Sequence, residues 1–85
     1  MPKKHQQLKS DAPCPALEAL IGDGGQITLG AVGSVRNAAI AAMPTGMLAA
    51  LVRRQGETLP PILQRLDATI VQAALENRVI NEMTV

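Results

Sequence analysis

The 85-residue chain predicts an α+β domain, and three observations carry that expectation. First, the apolar segments Ala38–Met43 and Met47–Val52 flank Pro44-Thr45-Gly46, a turn sequence suited to joining antiparallel strands. Second, Leu59, Ile62, Leu63, Leu66, Ile70, Ala73 and Ala74 recur at helical spacing and define one long amphipathic helix. Third, Leu, Ile and Val make up 22 of the 85 residues, above the level of a disordered chain. The expected architecture is a short N-terminal helix, a small antiparallel sheet containing that hairpin, and the long C-terminal helix packed across it. The alternative is an all-α chain of three to four short helices, because the Ala-rich segments also have high helix propensity.

Residues 1–13 read as a disordered basic tail, with Lys3, Lys4 and Lys9 and no large apolar residue besides Met1 and Leu8. The remainder, 14–85, reads as a single small domain. Pro13 and Pro15 hold the chain around Cys14 extended. Pro15 then suits the first turn of a helix to Ile21. Leu17, Leu20 and Ile21 share one face of that helix, and Gly22 is expected to end it as a left-handed cap. Gly22-Asp23-Gly24-Gly25 is a loop. Ile27 and Leu29 flank Thr28, the alternation of a short strand over 26–29, and Gly30 and Gly33 weaken any longer element.

The hairpin is expected to comprise strands near 36–43 and 47–53. Its three-residue loop, Pro44-Thr45-Gly46, would place Gly46 in the left-handed region and form a bulge. Thr58 is a good helix N-cap, and Pro60 and Pro61 fall where a missing N–H does little harm. The helix runs from Leu59 to Glu76 or Asn77, with Val71 and Leu75 forming a second apolar strip beside the first. Residues 79–85 are either a final strand or a flexible tail.

Composition removes several classes of function. The chain has no Phe, Tyr or Trp, so it cannot stack bases on aromatic rings as single-strand nucleic-acid binders do. The single cysteine, Cys14, cannot form an intramolecular disulfide, and with the single histidine, His5, it cannot supply a structural zinc set. A lone cysteine also makes a reducing cytoplasm the expected compartment. No apolar run follows the N-terminal lysines as a signal peptide requires. The longest uncharged stretch, Asn37–Val52, is shorter than the roughly 20 residues of a membrane-spanning helix, and Pro44-Thr45-Gly46 divides it.

Candidate chemistry is sparse. Gly22-Asp23-Gly24-Gly25-Gln26-Ile27 has Ile27 where a dinucleotide loop needs glycine, and no glycine loop leads into Lys-Ser or Lys-Thr. Gly30-Ala31-Val32-Gly33-Ser34 lacks the nucleophile-elbow pattern. A Cys14–His5 pair is the sole nucleophile–base combination, and it would rest on residues without a rigid scaffold. No catalytic residue, cofactor or metal is therefore expected. Glu57 favours the adjacent helix N-terminus through the helix dipole. Arg53-Arg54, with Lys3, Lys4 and Lys9, are the candidate anion or phosphate contacts.

A domain this short buries little surface and commonly gains stability by oligomerising. The surplus strip on the last helix makes a homodimer the expected partner arrangement, with Val71 and Leu75 near the interface and Met43 and Met47 as adaptable contacts. The functional expectation is a non-enzymatic protein-interaction module; the alternative is a small regulatory nucleic-acid binder.

Gly56-Glu57-Thr58-Leu59, entering a long helix after an apolar strand, resembles the helix entry of small partial RNase H-like antitoxins. The run from strand into Leu59–Ile70 resembles ribbon–helix–helix DNA-binding proteins. Either resemblance covers about a third of the chain and implies nucleic-acid regulation. The strand aromatics of the first family and the second helix of the other are missing.

Overall fold

The computed structural model describes residues 14–83. The elements follow the order α1 (Pro15–Gly22), β1 (Gln26–Val32), β2 (Val35–Met43), β3 (Gly46–Val52), α2 (Leu59–Glu76) and β4 (Ile80–Asn81). One four-stranded sheet has the spatial order β1-β2-β3-β4. The α+β expectation holds, and residues 36–53 form a hairpin rather than two helices. The disordered tail expected at 1–13 lies outside the described residues.

The sheet is mixed, not purely antiparallel. β1, β2 and β3 pair antiparallel, while β4 pairs parallel to β3 through Ala49–Ile80 and Ala50–Asn81. The reason is the connection: α2 carries the chain back across the sheet, so the next strand enters in the direction of β3. Ile80-Asn81 is thus a short final strand.

β1 runs on past Leu29 to Val32, beyond its expected end. Cross-strand pairing from Gln26–Ala42 to Gly30–Ala38 overrides the low strand preference of glycine. Gly33, at φ +59°, and Ser34 close the turn into β2. The second hairpin is tighter than expected. Met43 pairs with Gly46, leaving Pro44-Thr45 as a two-residue loop. The bulge falls at Leu48, where Ala41–Ala49 pairing shifts to Ala42–Met47.

Strand alternation sends Ala39, Ala41, Ala49 and Leu51 towards the helices. There they form the core with Leu17, Leu20, Ile62, Leu66 and Ile70. The alanines let both helices approach the sheet closely, and the leucines and isoleucines of the helices fill the space. Leu51, Ile62 and Leu66 are the largest fully buried side chains.

The helix ends differ in detail from expectation. Gly22 is the last helical residue of α1, and the left-handed position is Gly24, at φ +92°. The amides of Gly24 and Gly25 donate to the carbonyls of Ile21 and Leu20, the paired bonds of a Schellman cap. Thr58 occupies the N-cap of α2, but its side chain makes no capping bond. Asn77 ends α2 in the left-handed conformation at φ 53°, as its residue type predicts. The N-cap of α1, Cys14, gives no side-chain cap either. Instead the Asp67 carboxylate, on α2, accepts the Leu17 amide at 2.9 Å. One helix therefore caps the other.

The buried stripe of α2 is narrower than its sequence suggests. Ile62, Leu66, Ile70 and Ala73 are buried, whereas Leu59 and Ala74 are exposed. On α1, Leu17 and Leu20 are buried but Ile21 faces outward. Among the described residues, no helix is long and apolar enough to cross a membrane.

Candidate interaction surface

Two grooves flank the C-terminal part of α2. The first, of about 460 Å³, lies between α1 and α2; Ala16, Ala19, Leu48, Ile70, Ala74 and Leu75 contribute to its walls, with Asp23 at its border. The second, of about 280 Å³, lies between the end of α2 and β3, and Asn77, Arg78 and Val79 bound it. Leu48, Ile70 and Ala74 line both. The bulge at Leu48 and the small Ala16, Ala19, Ala73 and Ala74 explain the hollows: there the helices carry too little side-chain volume to fill the surface. Beside them stand Val71, 47% exposed, and Leu75, 82% exposed.

The candidate interface residues take different places. Val71, Leu75 and Met43 all line the first groove. Met47 is half-buried, pairs with Ala42 in the hairpin and lines neither groove. Asp23, Leu48 and Arg78 were not legible as surface-forming residues. Asp23 reads as part of a loop and Leu48 as an ordinary strand residue until the bulge turns it, and Arg78 carries no local signal.

Of the candidate anion contacts, Arg53 is committed within the chain. The Arg53 guanidinium donates to the Glu57 carbonyl through Nε at 3.2 Å and Nη2 at 2.7 Å. Arg54 is exposed, and its amide donates to Glu57 Oε1 at 2.9 Å. Lys3, Lys4, Lys9 and His5 lie outside the described residues.

Arg65, which reads in the sequence as part of the polar helix face, is the centre of the charge network. Its Nη2 and Nε donate to the two Glu57 carboxylate oxygens at 2.9 and 3.0 Å. Nη1 reaches Glu82 at 3.1 Å, and Nη2 also donates to the Val52 carbonyl at 2.9 Å. Glu82 in turn accepts the Val52 amide at 3.0 Å, while its own amide donates to the Ala50 carbonyl. Side chains thus occupy the edge of β3 beyond the two-residue β4, which closes it to further strand pairing. Hydrogen bonds from Arg65 first, then from the Arg54 amide, hold the Glu57 carboxyl down at about 2, against an ordinary 4.5.

Cys14 is half-buried. Burial first, then the charges of Asp67 and Glu18, push its thiol pKa up. That is the opposite of the depressed value an activated nucleophile needs. Among the described residues, no group of three metal-ligating side chains comes together. No family model, curated protein or solved structure matches the chain.

Proposed function

We propose that the protein is a non-enzymatic interaction module that self-associates through the grooved surface around the end of α2. The observation that carries this reading is Leu75, 82% exposed on the rim of an apolar groove and next to exposed Val71. The core of Leu51, Ile62 and Leu66 is filled without either residue, so their apolar area is surplus to the fold of one chain. A contiguous exposed apolar patch on a small domain marks a contact site more often than an isolated exposed leucine does. The arginines support the same reading: Arg53 and Arg65 are tied to Glu57, which leaves fewer cations for a phosphate backbone.

Light scattering across a concentration series tests the proposal. The mass should rise from 8.9 kDa towards twice that value as concentration increases. A mass fixed at one chain up to the highest soluble concentration refutes self-association.

A further inference from the structure

Asp23 borders the groove on the α1 side of the last turn of α2, and Arg78 borders the groove on the β4 side. Between them lies the apolar surface of Leu48, Ile70 and Ala74, common to both grooves. An acid and a base on opposite sides of one apolar patch form a self-complementary pattern. In a two-fold dimer, a residue on one side of the axis meets a residue on the other side in the second copy.

Both groups are available for such a contact. Asp23 is exposed and enters none of the ion pairs among the described residues. Arg78 is 58% exposed and uses Nε for Glu76 of its own chain at 2.6 Å. Its terminal guanidinium nitrogens make no bond among the described residues. We propose that a second copy of the chain docks two-fold across the last turn of α2, with Asp23 of each copy facing the partner's Arg78 and Leu75 packing near the axis. The proposal rests on the self-association reading and adds its geometry. The charge pairs at the rim fix which way the copies face, while the apolar centre supplies the affinity.

The test uses the full chain with Asp23→Arg and Arg78→Glu, purified separately. In either variant alone, the dimer would hold two like-charge contacts, and its dissociation constant should rise roughly tenfold or more. In an equimolar mixture, the introduced arginine faces the introduced glutamate, and the native Asp23 faces the native Arg78. The mixture should therefore dimerise about as well as the parent. This recovery cannot come from a variant that fails to fold, and circular dichroism of each variant checks folding independently. If the parent dimerises but neither variant weakens it, or if mixing restores nothing, the proposed geometry is overturned and self-association stands. If the parent is a monomer throughout, both are overturned.

Discussion

Leu75→Ala separates the interface from the core. Leu75 is 82% exposed, so most of its side chain remains to be buried when two copies meet. The substitution removes Cγ, Cδ1 and Cδ2. At about 0.8 kcal/mol per buried carbon, scaled to the exposed fraction, that is about 2 kcal/mol in each copy. A two-fold dimer counts the loss twice. The total of about 4 kcal/mol raises the dissociation constant roughly a thousandfold, since about 1.4 kcal/mol is a factor of ten. The stability of the single chain should change by no more than about 0.5 kcal/mol, as for other exposed positions. Sedimentation equilibrium measures the first quantity, and chemical denaturation below the dimerisation range measures the second. Leu66→Ala, at a position that is 0% exposed, is the control: a cavity there should cost about 2–5 kcal/mol of folding stability. A Leu75→Ala dissociation constant within about threefold of the parent would refute the placement of this leucine at a dimer contact.

Four further outcomes follow from the packing and the charges. A Cβ at Gly25 would stand 2.7 Å from Leu20 Cγ and 2.9 Å from the Ala42 carbonyl oxygen, so Gly25→Ala should cost about 1–3 kcal/mol. By contrast, Gly22 has open space and an ordinary helical backbone, so Gly22→Ala should stabilise by about 0.4–1 kcal/mol in the same denaturation assay. Asp67→Ala removes the acceptor for the Leu17 amide and should cost about 1 kcal/mol, with Asp67→Asn recovering much of it; equal losses in the two variants would exclude the capping role. Glu57 is held at about 2 in the fold, against an ordinary 4.5, so the unfolded chain binds more protons between those values. Its contribution is complete above about 4.5 and is lost as pH falls towards about 2. The difference in melting temperature between the parent and Glu57→Gln should therefore shrink over that interval; a constant difference would show that the carboxylate charge is not the stabilising feature.

Several elements were legible because their signals are local. Pro44-Thr45-Gly46 names a turn through the fixed φ of proline and the freedom of glycine, and the structure bends there. The spacing of Ile62, Leu66 and Ile70 names a helix, and those residues are buried. Val71 and Leu75 were visible as surplus because they lie on the same helix beside a stripe already wide enough for one core. Other features depend on residues far apart in the chain. Thr58 has the right chemistry for an N-cap but leaves its bond unmade, whereas Asp67 caps α1 from 50 positions away from Leu17. Arg65 looks like any helix-surface arginine until Glu57, Val52 and Glu82 converge on it.

The sequence by itself determined the position of both helices and the turn at Pro44-Thr45-Gly46, since helical periodicity and turn chemistry act over a few residues; it left α+β and all-α both open, and strand pairing across residues 36–53 decided between them. The sequence also determined that no aromatic ring takes part in either core or recognition. Only the tertiary structure decided that β4 returns parallel to β3, that a bulge turns Leu48 towards the end of α2, and that Asp23 and Arg78 bracket the same apolar surface. The physical reason is that pairing direction, bulge position and groove shape are set by contacts between segments distant in sequence. Their energies exist only once the sheet and the two helices have come together.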